Sequence, residues 1–122
     1  MKIGVPKEIK TREYRVGMTP AGARLLTQRG HEVVVQQDAG VGSGIPNEAY
    51  VAMGARIVAT AADAWNADMV VKVKEPLAAE FDFFRPGLIV YTYFHLAPEP
   101  DLTKKLAEKK VAAVAYETIE LD

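Results

Sequence analysis

A chain of 122 residues, 49% of them hydrophobic, has the size and apolar content for one real core and so for one domain. Its 15 lysines and arginines nearly cancel 16 aspartates and glutamates, which removes the electrostatic case for nucleic acid or an anionic membrane surface as a partner. The absence of cysteine and the two well-separated histidines exclude a disulfide framework and a thiolate zinc site, and a reducing, cytoplasmic setting is expected.

The N-terminus, MKIGVPKEIK, carries too short an apolar run for a secretory leader. No later stretch nears the roughly 18 apolar residues of a membrane span, so the chain reads as soluble. Lys2–Val5 (KIGV) is the first predicted strand, and a well-punctuated helix follows. Thr19 is its N-cap, Pro20 its first residue, Leu25 and Leu26 its buried face, Arg29 its last turn and Gly30 its stop. Glu32–Gln36 (EVVVQ) is the second strand. The glycine loop after it, DAGVGSGIP, has Ile45 where a G-x-G-x-x-G needs its third glycine, and no strand-end acid follows at the proper distance, so it reads as a turn.

Asn47–Met53 is a short helix stopped by Gly54, and Arg56–Ala59 is the third strand. Thr60 with Asp63 resembles a capping box. Met69–Lys74 is the fourth strand, Leu77–Phe84 a helix with three phenylalanines that serve packing, and Leu88–Phe94 the fifth strand. Asp101–Lys109 is a helix whose KKLAEKK face is solvated, and Val111–Glu117 is the sixth strand. Strand and helix alternate throughout, which predicts an α/β fold: a mostly parallel open sheet with helices on both faces, Rossmann-like or flavodoxin-like. The last strand has no helix after it, which suggests a fragment of a longer protein.

Lys72 and Lys74 stand inside the apolar run MVVKVK, and a buried ammonium needs a compensating charge. Lys72 is expected to pair with a nearby carboxylate. Lys74 ends its strand, as His95 ends the fifth, while Arg15 lies in the loop after the first. In an open parallel sheet, ligands bind outside the carboxyl ends of the strands where strand order reverses, so these three side chains can converge on one crevice. An arginine fork, a lysine point charge and a histidine suit a small carboxylic acid with a titratable group beside it. His31, at a strand start, is read as structural.

The blocks KIGVPKEIKTREYRVGMTPAG, GHEVVVQQDAGVGSG, DMVVKVKEP, YTYFHLA and AYETIE resemble, in order and spacing, the N-terminal part of the alanine dehydrogenase family, relatives of the nicotinamide nucleotide transhydrogenase alpha subunit. The resemblance implies that Arg15 and Lys74 bind the substrate carboxylate. It further implies that His95 acts as acid/base beside Lys74 and that Tyr93 lines the pocket. It implies reversible oxidation of L-alanine to pyruvate and ammonia with NAD in a homohexamer. Residues 1–122 would then be part of the substrate domain, with the nucleotide-binding domain absent and the fragment alone inactive. Departures from the family pattern are Thr11 and Arg12, where an asparagine-rich turn is frequent, and Gly17, where alanine is usual. A transhydrogenase alpha-subunit fragment and a non-catalytic carboxylate-binding or flavodoxin-like module are the alternatives. A receiver domain ranks low, because VPKE and VATA at the relevant strand ends supply only Glu8 as an acid.

Overall fold

The computed structural model describes residues 1–92 and 100–115. Strands β1 (Lys2–Val5), β2 (Glu32–Gln36), β3 (Arg56–Val58), β4 (Met69–Val71), β5 (Ile89–Thr92) and β6 (Ala112–Ala115) form one sheet in the order β3-β2-β1-β4-β5-β6. Every pairing is parallel. Strand order reverses between β1 and β4, so the switch point of this sheet lies at their carboxyl ends.

Alternation along the strands divides the core into two layers. Ile3, Val5, Val33, Val35 and Val71 point to one face, where Ala23 of α1 (Pro20–Gln28) and Tyr50 of α2 (Asn47–Ala52) meet them. Val70 and Val90 point to the other, against Trp65 of α3 (Ala61–Trp65) and Leu102 and Leu106 of α4 (Pro100–Glu108). Gly4 lies on this second face because a Cβ there would run into the backbone carbonyl of Ala64, so its missing side chain lets α3 lie directly on β1. On the first face, Met18, Leu26, His31, Met69, Val71 and Tyr91 line an apolar groove of ≈450 Å³. Among the described residues no helix is long and apolar enough to cross a membrane.

The helix punctuation is as expected. Thr19 accepts a hydrogen bond from Gly22 N and Pro20 opens α1, while Thr60 caps α3 by accepting from Asp63 N. Three expectations are corrected. Leu25 is 58% exposed, because the face of α1 that meets the sheet is set by Ala23 and Leu26, three residues apart, and Leu25 is rotated about 100° from Leu26. The phenylalanine-rich segment is a 3₁₀ helix, Ala78–Phe83, confined between Pro76 and Pro86. Its rings serve the packing predicted for them: Trp65 stacks on Phe83 at 5.6 Å, and Phe81 meets Phe84 at 5.4 Å. Strand β4 stops at Val71, three residues early, because the Glu8 carboxylate takes the Val73 and Lys74 backbone N–H groups. Strands β5 and β6 are described to Thr92 and Ala115, and their expected continuations lie outside the described residues.

Candidate functional site

The charge on Lys72 is answered from within the protein. Its side chain is 1% exposed, and its Nζ lies 3.0 Å from Glu8 Oε1 and 3.4 Å from Glu80 Oε2. Glu8, in the loop leaving β1, also accepts from Val73 N at 3.0 Å and Lys74 N at 3.2 Å. One carboxylate therefore neutralises the buried ammonium and ties the ends of β1 and β4 together across the switch point. Glu80 accepts from Leu77 N at 3.0 Å. Burial pushes its carboxyl up from the ordinary 4.5 despite the pull of Lys72.

Lys74 follows this buried knot and is half-buried. The loop that joins β1 to α1 carries a second ion pair. There Glu13 accepts from Arg15 Nε at 3.0 Å, Arg15 Nη2 at 2.9 Å and Arg15 N at 2.9 Å. The Glu13 side chain is 6% exposed, whereas that of Arg15 is 63% exposed. The Arg15 hydrogen bonds, helped by the charges of Arg15 and Lys74, hold the Glu13 carboxyl down to about 2 against the opposing effect of burial. Arg15 thus holds Glu13 directly, and the Lys74 charge adds a minor pull on the same carboxyl.

An open cavity of ≈470 Å³ is lined by Lys7, Lys10, Arg12, Glu13 and Arg15 among others. Close packing fixes the loop: a Cβ on Gly17 would stand 2.5 Å from Val71 O, so the loop lies directly on the end of β4. Ser43 Oγ donates to Tyr14 O at 2.8 Å, which braces the segment carrying Glu13 and Arg15 with the glycine-rich turn after β2.

Of the predicted site residues, Arg15 is paired with Glu13 in the loop after β1 and Lys74 stands half-buried beyond the end of β4, while Tyr93 and His95 lie outside the described residues. Sequence reasoning assigned no function to Glu13 and weighed Glu8 only as a receiver acid. The need for a partner to Lys72 was the signal for Glu8; the signal for Glu13 was its place two residues before Arg15.

Among the described residues, the two loops where a dinucleotide fingerprint could sit lack its features. The connection after β1, where the fingerprint belongs in such a sheet, has no glycine between Pro6 and Val16. In the turn after β2, Tyr14 fills the space over Gly42, where an added Cβ would be 2.9 Å from Tyr14 O. Among the described residues no group of three or more His, Cys, Asp or Glu could hold a metal ion.

Residues 4–122 match the family described as "Alanine dehydrogenase/PNT, N-terminal domain". An alanine dehydrogenase of Bilophila wadsworthia is 62% identical over 122 residues, which are 100% of this chain and 32% of that protein. An alanine dehydrogenase of Bacillus subtilis is 54% identical over 119 residues, 98% of this chain and 32% of that one. A solved L-alanine dehydrogenase superposes with a TM-score of 0.97 at 49% identity, covering 99% of this chain and 34% of its own. A transhydrogenase from Sinorhizobium meliloti does so at 0.93 and 30%, covering 100% and 35%. This chain thus spans about a third of the length of the relatives it matches. With its 3-2-1-4-5-6 sheet and its match over nearly every residue, the chain belongs to the alanine dehydrogenase/PNT family, as an N-terminal domain.

Proposed function

We propose that this chain is the substrate-binding N-terminal portion of an alanine dehydrogenase, which interconverts L-alanine with pyruvate and ammonia in the cytoplasm as a homo-oligomer. NAD, the hydride partner in that reaction, is assigned to segments outside this chain. Arg15 and Lys74 grip the carboxylate of pyruvate or alanine, and His95 manages the proton at the carbonyl or amino group, with Tyr93 beside it. The observation that supports this reading is the placement of Arg15 and Lys74 in the segments that follow β1 and β4, the two strands that flank the switch point of the sheet. Fixing the carboxylate leaves the α carbon one bond away in a set orientation, which is the chain's contribution to rate.

The test is steady-state kinetics of the full-length enzyme carrying this chain. Arg15→Ala and Lys74→Ala are each expected to raise KM for pyruvate at least about tenfold, as loss of one charge-assisted partner does. Unchanged KM in both would refute the assignment. The likeness to a transhydrogenase keeps a second reading in view, in which the fold serves without an amino-acid pocket. Binding of pyruvate by the full-length wild type separates the two.

A further inference from the structure

Three consecutive residues beyond the end of β4 donate to one carboxylate. Glu8 Oε1 accepts from Lys72 Nζ at 3.0 Å and from Lys74 N at 3.2 Å, and Glu8 Oε2 accepts from Val73 N at 3.0 Å. Lys72 N still donates along the sheet, to Tyr91 O at 3.0 Å, whereas the next two backbone N–H groups leave it for Glu8. One residue further on, Glu75 pairs with Lys10, which belongs to the same connection after β1 as Glu8. Lys74 therefore stands between two ties to that connection, and its own N–H is part of one of them. Both carboxylates are enclosed, so water competes little for these bonds. Balancing the Lys72 charge does not by itself call for the two amide contacts, since Glu80 Oε2 also lies 3.4 Å from the same ammonium.

Resting on the carboxylate-binding reading above, we infer that Glu8 is a positioning residue for Lys74. It fixes the backbone from which the lysine side chain leaves, beyond the carboxyl end of β4, so that this part of the ordering is settled when the chain folds and not when the substrate binds. A carboxylate suits the task because both of its oxygens accept. The amide of a glutamine offers one acceptor and turns its NH2 either toward Val73 N–H or toward the Lys72 and Lys74 donors, so part of the clamp is lost. Aspartate keeps both acceptors but is one methylene shorter, and from the same backbone position it falls short of the three donors.

The experiment is a double-mutant cycle of Glu8→Gln and Lys74→Ala in the full-length enzyme carrying this chain, read on KM for pyruvate, or on its dissociation constant for a variant too slow to assay. Glu8→Gln is expected to raise that constant about three- to tenfold, less than Lys74→Ala does, and to leave KM for NADH near wild type. In the Lys74→Ala background the same change is expected to add less than about twofold, because no ammonium is left to place. An equal factor in both backgrounds, or a KM for NADH that rises as much as that for pyruvate, marks a general loosening and overturns the inference. So does a folded Glu8→Gln with the wild-type constant. Glu8→Asp runs the same cycle if Glu8→Gln does not fold. Hydrogen exchange followed by mass spectrometry needs no variant: the Val73 and Lys74 amides of wild type are expected to be protected like those of β4, and exchange at the rate of an open loop overturns the clamp. The underlying reading fails separately. Lys74→Ala with the wild-type constant removes that reading, whereas a raised constant in Lys74→Ala beside an unaffected Glu8→Gln removes only the role of Glu8.

Discussion

Lys72 is enclosed between Glu8 and Glu80, so deleting its charge strands a buried carboxylate. Lys72→Met is therefore expected to destabilise the fold by about 3–5 kcal/mol, while Lys74→Met, at a half-buried position, costs about 0–1 kcal/mol. Urea melts of both variants check this, and equal losses would refute the division between a structural and a ligand-facing lysine. Glu80 adds a pH dependence. Its folded-state value is raised above 4.5, so the folded form holds the proton more tightly than the unfolded chain and loses stability as pH rises from 4.5. Glu80→Gln is expected to remove that decline, and melts of variant and wild type that run parallel above pH 4.5 would contradict it. Glu13 has the opposite sign. Its lowered value means that its stabilisation is full above 4.5 and is lost between 4.5 and about 2; with Arg15 mostly exposed, the amount is about 0–1 kcal/mol.

At the scale of elements, the parts legible in the sequence were those with local causes. Thr19, Pro20 and Gly30 bound α1 because capping and a helix stop depend on neighbouring residues alone. The outward turn of Leu25 and the early end of β4 depend on partners distant in sequence, namely the sheet under α1 and the Glu8 carboxylate. Periodicity does not report such partners. The loop carrying Glu13 and Arg15 is a mixed case. Arg12 in that loop holds a left-handed conformation, φ +66°. Arg12→Asn is expected to stabilise the chain by about 0.5–1 kcal/mol, since asparagine tolerates that region better than a long side chain does. A thermal melt that moves downward would show that the arginine side chain makes up for its backbone strain.

For the whole molecule, alternation of strand and helix sufficed to anticipate a doubly wound parallel sheet, and the reversal of strand order between β1 and β4 then fixes where a site can form. Arg15 and Lys74 stand out as candidates because each follows a strand that ends at that reversal; Glu13, which holds Arg15, does not, because a loop acid beside an arginine looks like any surface pair. The account depends on Arg15 and Lys74 holding the same ligand carboxylate. A double-mutant cycle of Arg15→Ala and Lys74→Ala on pyruvate KM in the full-length enzyme measures this directly. Shared contact predicts coupling of about 1–3 kcal/mol, with the double variant losing less than the two single losses together. Single losses that add without coupling, or no loss at all, would contradict it.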